Sequence, residues 1–383
     1  MKNNIIKRSF HWLHLWLGLA SGIVVCIVSI TGCIYAFKPE ITDWLEPYRF
    51  VAPMNKPFLS PLELRNKVVS TTFTAKADSS NVIYDVTYNG KERAAIVTYG
   101  NAHKKEIELM INPYDGKVLH KQNRHDDFFS FILRGHRSLW LPKPIGHYVV
   151  GWSIFLFFIV SLTGLFLWIP KKWNKKTLKS ILTIKQHSGV NKKIYDLHKV
   201  LGFYTLLFAL CLCTTGLTWS FDWFSKAYYG LLSGGGQLEK WEVATSDSTQ
   251  INRTKDLADV LWNKVIKEYP LNGKGSFTFM FPIDKSGSFG IAYNPEENSY
   301  RKREYRFFDQ YSLKELKGGG IYGTPYRSAP IGDKIYRMNY DIHSGAIAGL
   351  PGRILMFFAC FIIATLPITG FLIWKRRRIV KKK

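Results

Sequence analysis

The chain has 383 residues, 46% of them hydrophobic, and a formal net charge of +25. So basic a balance is the usual mark of a nucleic-acid binder. Four long stretches free of Asp, Glu, Lys and Arg (Leu15–Phe37, Pro144–Pro170, Val200–Phe221 and Ile354–Trp374) exclude that reading and point to a lipid bilayer as the partner, with no nucleic acid.

In chain order, residues 1–37 comprise a basic N-terminus and a first transmembrane helix. Its apolar run is too long for a cleaved signal peptide, and no small-x-small site follows it. Residues 38–143 read as an α+β domain. Ser60-Pro61-Leu62-Glu63 opens a helix with a capping box. Alternating segments then predict strands at Val82–Tyr88, Ala94–Tyr99 and Glu106–Ile111, with Asn112-Pro113-Tyr114-Asp115-Gly116 as a turn into a strand at 117–119. Phe128–Leu141 reads as an amphipathic helix on the membrane surface.

Residues 144–170 form the second transmembrane helix, 171–199 a basic loop with nine Lys and a single acid, Asp196, and 200–221 the third helix. Residues 222–350 repeat the first loop's plan, with a helix at Lys255–Tyr269 and strands at Ser276–Phe281, Phe289–Tyr293 and Glu304–Phe308. Phe308 to Leu313 stands where the first loop has its Asn-Pro-Tyr-Asp-Gly turn, and Gly318-Gly319-Gly320 reads as a linker. Residues 351–374 are the fourth helix, with Pro367 as an expected kink, and 375–383 a basic tail. The two termini and the middle loop hold nineteen of the 53 basic residues, which places them in the cytoplasm and the two large loops across the membrane. All five cysteines fall within the spans and read as packing residues.

The spans repeat. The first reads Leu13-His14-x-x-x-Gly18 and ends Thr31-Gly32; the third reads Leu197-His198-x-x-x-Gly202 and ends Thr215-Gly216. The second and fourth end Thr163-Gly164 and Thr369-Gly370, each followed by a Trp four residues on, with His136 and His343 upstream. The predicted fold is therefore an integral membrane α-helical protein, with four transmembrane helices in two direct repeats and two α+β domains on the far side.

Histidines at matching repeat positions are the sharpest chemical signal. His14 and His198 sit at the cytoplasmic ends of their spans, each with a glycine one helical turn on. A haem between two helices needs an imidazole from each side and room for the macrocycle, which Gly18 and Gly202 provide. His136 and His343 form the corresponding pair on the far side. Arg134, Arg137 and Arg353 stand near them as candidate partners for haem propionates. His147 competes with His136, and His11 with His14. His103, His120, His125 and His187 read as solvated. No P-loop, Gly-x-Gly-x-x-Gly or His-Glu-x-x-His pattern is present, and no cluster suits zinc.

Leu-His-x-x-x-Gly with Thr-Gly, Gly135-His136-Arg137-Ser138-Leu139 before the second span, Asp196-Leu197-His198 and Ile342-His343-Ser344-Gly345 resemble the PepSY-associated transmembrane family over nearly the whole chain. Asn112-Pro113-Tyr114-Asp115-Gly116-Lys117-Val118 resembles the PepSY turn-and-strand signature. The family carries Leu before the second-span histidine, where this chain has Gly135. The resemblance implies two PepSY-like periplasmic domains and a place in the bacterial inner membrane. It also implies b-type haems at His14/His198 and His136/His343, and reduction of a ferric siderophore or other Fe(III) chelate on the periplasmic side, serving iron acquisition.

The enzyme reading is thus a di-haem ferric-chelate reductase fed by a cytoplasmic or quinol donor. Tyr322, Tyr326, Arg327, Tyr336, Arg337 and Tyr340 are the expected docking strip for a chelate seated between the loop domains. Two alternatives are a membrane-anchored PepSY binding or regulatory module, which would be colourless, and an iron or haem transporter. The two repeats run in the same direction, which speaks against the inverted architecture of many transporters.

Overall fold

The computed structural model describes residues 2–73, 81–101, 106–185, 187–250, 257–269, 271 and 275–381. His103 and part of the predicted helix at Lys255–Tyr269 lie outside them. The helices are α1 (Lys2–Tyr35), α2 (Lys38–Leu45), α3 (Pro61–Thr72), α4 (Phe128–Ser138), α5 (Lys143–Trp168) and α6 (Lys175–Leu182). They continue with α7 (Val190–Ser220), α8 (Asp222–Ser233), α9 (Ala258–Val265), α10 (Ile331–Arg337), α11 (Asn339–Ser344) and α12 (Gly349–Lys381). The chain divides into two units, one of residues 1–38, 128–228 and 340–383, the other of residues 39–127 and 229–339.

The first unit is a helix bundle. Among the described residues four helices are long and apolar enough to cross a membrane, and they are α1, α5, α7 and α12. α1 packs against α5 and α12, and α7 packs against the same two, so α1 and α7 lie diagonally opposite. Val25, Phe157, Val160, Ala209, Cys213 and Ile363 fill the centre. The helices overrun their apolar stretches, α7 by ten residues at its start and α12 by seven at its end. Polar residues extend them without breaking the hydrogen-bond ladder. Lys192 bonds Asp196 at i,i+4 (2.6 Å), and Arg376, Arg377 and Arg378 sit at the C-terminal end of α12, where the helix dipole favours cations. Pro367 lies inside α12, close to the place where a Cβ on Gly22 would be (3.1 Å).

The second unit is built on one sheet. Its strands are β1 (Val82–Tyr88), β2 (Ala95–Gly100), β3 (Ile107–Ile111), β4 (Val118–Asn123), β5 (Ser276–Met280), β6 (Ser288–Asn294), β7 (Glu304–Asp309) and β8 (Glu315–Leu316). They run in the order β4-β3-β2-β1-β5-β6-β7-β8, every neighbouring pair antiparallel. The sequence suggests two separate loop domains, but β1 pairs with β5 over Asp85↔Met280 to Tyr88↔Phe277, joining both loops in one sheet. The cause is a shared core: α3 and α9 cover one face, with Leu64, Val68, Leu261 and Trp262 against Val86, Val97, Phe277 and Ile291. Splitting the sheet would expose Tyr88, whose ring stacks on Trp262 at 5.2 Å.

The turn at Asn112 is pinned by its own side chains. Asn112 accepts from the Tyr114 amide (2.9 Å), the Tyr114 hydroxyl donates to the Lys91 carbonyl (2.9 Å), and Gly116 takes φ +76°. The turn at Asp309 forms the same contacts. Asp309 accepts from the Tyr311 amide (3.0 Å), the Tyr311 hydroxyl donates to the Lys285 carbonyl (2.9 Å), and Leu313 takes the position of Gly116 with φ +56°. The Gly318-Gly319-Gly320 run is not a free linker, since a Cβ on Gly318 would meet the Phe307 ring at 2.8 Å and one on Gly320 the Lys240 carbonyl at 2.8 Å.

Asp85 is the sheet's unusual acid. Burial pushes its carboxyl up to about 6 from an ordinary 3.8, against the pull of Arg124. The folded chain therefore holds this proton to higher pH than the unfolded chain. That contribution to stability is fully present below pH 3.8 and is lost as pH rises through about 6. In Asp85→Asn, the unfolding midpoint of the sheet unit is expected to lose its decline over this range. A midpoint that declines with pH as in the parent would contradict the assignment.

Candidate functional site: two histidine pairs in the helix bundle

The diagonal helices α1 and α7 each carry a histidine near one end and a Thr-Gly pair seventeen residues later. Seventeen residues span about 25 Å of helix, so each helix contributes to two levels of the bundle. At the first level His14 and His198 face each other, ring centroids 6.2 Å apart and planes at 86°. At the second level His136 from α4 and His343 from α11 do the same, 6.2 Å apart at 81°.

Each imidazole is held from behind by a Thr-Gly pair on a neighbouring helix. His14 Nδ1 lies 3.2 Å from Thr163 Oγ1, and His198 Nδ1 lies 2.9 Å from Thr369 Oγ1. His136 Nδ1 lies 3.2 Å from Thr31 Oγ1, and His343 Nδ1 lies 2.8 Å from Thr215 Oγ1. The following glycine seats the ring: a Cβ on Gly164, Gly370 or Gly32 would come within 3.1–3.3 Å of the histidine's Cε1, and one on Gly216 within 3.6 Å.

These contacts fix the tautomer. A threonine hydroxyl has one proton, and each of the four has a helix carbonyl to receive it: Val160, Leu366, Ile27 and Cys211, at 2.9, 3.0, 2.7 and 2.6 Å. The oxygen is left as acceptor, so Nδ1 must donate. The carbonyls of Val160 and Val28, 3.1 and 2.9 Å from His14 and His136 Nδ1, can only accept and require the same tautomer. A neutral imidazole with its proton on Nδ1 presents a lone pair at Nε2, the state in which histidine binds a metal, with the outer nitrogen anchored as metal-ligating histidines require. His136 and His343 lie outside the four spans. Burial lowers both, and burial with the neighbouring His136 pushes His343 down to about 3, so both stay neutral.

The spacing matches a shared metal. With metal–nitrogen bonds of about 2.0 Å and a ring centre about 1.1 Å behind the nitrogen, two imidazoles on opposite sides of one ion would have centroids about 6.2 Å apart. Each pair supplies only two donors. Among the described residues no group of three or more His, Cys, Asp or Glu side chains gathers to hold a metal ion. Gly18 and Gly202 are not there for tight helix packing. A Cβ on either would meet nothing nearer than 3.8 Å, in ordinary contact with Val160 or Leu366.

The model of the PepSY-associated TM region family matches residues 11–377. The chain belongs to that family. No curated protein matches it. This PepSY-associated membrane protein thus has histidines at two levels, and the other candidate residues sort around them. His147 turns its Nε2 to the Ser220 carbonyl (3.1 Å), while His136 is the residue facing His343. His11 accepts from Arg377 at the exposed end of α1 (3.1 Å). Arg134 and Arg137 are exposed on α4, and Arg353 is buried, with Nη1 donating to the Ala36 carbonyl (3.3 Å). Gly135 makes room for Trp140. The chain reverses after α4 through positive φ at Leu139 and Trp140, and a Cβ on residue 135 would meet the indole at 2.2 Å.

The expected docking strip needs one correction. Arg337 is completely buried in the sheet unit, and its guanidinium donates to the carbonyls of Arg301, Arg303, Ile321 and Thr324 between the rings of Tyr322 and Tyr326. It is a brace, not a docking residue. Arg327 is exposed and Tyr326 half-buried; Tyr336 contacts Tyr229, and Tyr340 contacts Trp219. Of the histidines expected to be solvated, His120 stacks on Tyr48 with centroids 4.0 Å apart. The residues that sequence reasoning missed are the four threonines and glycines behind the imidazoles. Their recurrence was visible, but the partner of each lies on another helix.

Proposed function

We propose that this protein is a transmembrane di-haem electron-transfer protein of the bacterial inner membrane, which reduces a ferric siderophore or other Fe(III) chelate on the periplasmic side. The observation that carries this reading is the doubled histidine pair: two sets of facing imidazoles, each 6.2 Å apart between centroids, each tied back at Nδ1. Two donors per level would leave the rest of a metal's coordination to a ligand of its own, such as a flat macrocycle, and Gly18 and Gly202 add no side chain beside it. When bound, haem supplies one-electron redox chemistry at each level.

The chain's own contribution is position. His14 and His198 define the level near the termini, and His136 and His343 the level near the long loops. The basic termini and middle loop favour the cytoplasmic side for the first pair, and the two loops, read as two copies of one PepSY-like plan, then face the periplasm. A ferric chelate is held by hard oxygen donors, so reduction to Fe(II) loosens it. Exposed Arg137 and Arg327 are cations that an anionic chelate could meet.

The test is the visible spectrum of the detergent-purified protein, oxidised and dithionite-reduced, with haem quantified per chain. Two b-type haems per chain, reoxidised by an Fe(III) chelate, are expected. A colourless protein from cells with ample haem would sink the reading and favour a membrane-anchored PepSY binding module.

A further inference from the structure

Trp168 ends α5 one helical turn beyond Gly164, the glycine that seats His14. Its ring lies flat on Phe203 of α7, centroids 3.7 Å apart and planes within 2°. Phe203 adjoins Gly202, where a Cβ would be in ordinary contact with Leu366 (3.8 Å), and lies five residues beyond His198. Side chains on helices lean toward the N-terminus of their own helix. α5 and α7 run in opposite senses, so the leaning brings Trp168 and Phe203 together at the level of the first histidine pair. The indole Nε1 is fully buried and has no hydrogen-bond partner among the described residues. A buried N–H left unmet costs about 1–3 kcal/mol, and natural sequences keep such groups where something satisfies them.

We infer that the Trp168 indole N–H is a ligand-binding donor at the first pair, holding a carboxylate of the tetrapyrrole clasped between His14 and His198. The inference rests on the di-haem reading above. The chemistry is specific: an indole nitrogen can only donate, so its partner is an acceptor, and the acceptors on the rim of a b-type haem are its propionates. A hydrogen bond to an ionised acceptor is a strong one. It stabilises the ionised propionate and offsets part of its negative charge beside the iron. The stack on Phe203 fixes the direction of the donor. Trp374 stands at the matching place one turn beyond Gly370, but its ring lies under the Arg378 guanidinium, 4.9 Å away.

The experiment compares the full-length parent protein, Trp168→Phe and Trp374→Phe by haem content and by redox titration across pH. Trp168→Phe keeps an aromatic ring on Phe203 and removes only the donor. It is expected to retain both haems, with one midpoint potential moved to more negative values and the pH dependence of that haem moved upward, while the other is unchanged. Trp374→Phe is expected to match the parent. A merely structural Trp168 would alter haem content or melting without singling out one potential. Two haems with parental potentials and pH profiles in Trp168→Phe would overturn the inference and leave the di-haem reading standing. A colourless parent would overturn both. Should Trp168→Phe not fold, Trp168→Leu, which also carries no hydrogen-bond donor, is read in the same way.

Discussion

On the proposed di-haem reading, replacing His198 by alanine is expected to remove one haem of two, and replacing His343 is expected to remove the other. The two pairs share helices but no side chains: α1 supplies His14 to the first and Thr31-Gly32 to the second, and α7 supplies His198 to the first and Thr215-Gly216 to the second. Loss of one imidazole would leave its level with a single histidine donor, while the other level keeps both donors and both threonine anchors. Each variant should therefore retain about half the parental haem, and the remaining half should keep a bis-imidazole spectrum. Reduction of an external Fe(III) chelate should be lost in both, since either change interrupts the path across the bundle. Thr369→Val, which takes the hydroxyl from behind His198 but leaves the Leu366 carbonyl, is the graded companion. Loss of such a supporting contact weakens metal binding by about 10–100-fold. The near-perpendicular ring planes, 86° and 81°, also predict a strongly anisotropic low-spin ferric signal by electron paramagnetic resonance in the parent. If His198→Ala and His343→Ala each lost all haem while still folded, the two levels would not be independent sites. If neither lost any, the pairs would not be ligands.

The spans, the histidine pairs and the placement of most strands were legible in the sequence for a common physical reason: each is a local pattern of period or spacing. Apolar runs must be helices in lipid, and a histidine repeated with the same neighbours is visible without a structure. The Thr-Gly pairs were visible as a repeat, but not as anchors. Thr163 serves His14 only because α5 lies beside α1, and Thr369 serves His198 only because α12 lies beside α7. Neighbour choice among helices is a property of packing, which spacing along one chain does not encode. The joining of the two loops escaped for a similar reason. Val82–Tyr88 and Ser276–Met280 each read as a strand, but nothing in either announces that they pair with each other. Burial of charge was the third blind point. A Tyr- and Arg-rich stretch has the composition of a binding surface, and only the fold shows that Arg337 faces backbone carbonyls.

That contrast gives Arg337 a large expected effect of a different kind. A guanidinium carries five donors and stays charged, so burying one is costly unless every donor finds an acceptor. Here the Nε donates to Arg301 O at 2.9 Å, Nη1 to Thr324 O at 3.0 Å and more weakly to Ile321 O at 3.5 Å, and Nη2 donates to Arg303 O. The segment from Thr324 to Arg337 is thereby clamped to the chain entering β7. Arg337→Met preserves most of the volume between Tyr322 and Tyr326 but leaves the carbonyls without donors. At about 1–3 kcal/mol for each acceptor left unmet, even partial rescue by water leaves a loss of several kcal/mol. A domain's whole stability is only about 5–15 kcal/mol, so the sheet unit is expected to melt much earlier and to become open to proteolysis within residues 301–337. The bundle's histidine pairs use no residue of this segment, so haem content should persist. A docking role predicts the reverse: an unchanged melting profile with weaker reduction of anionic chelates. Arg337→Lys separates charge from geometry. A lysine keeps the positive charge but cannot reach four carbonyls arranged around a planar fork, so it should fall close to Met if the brace is what matters and close to the parent if charge alone is.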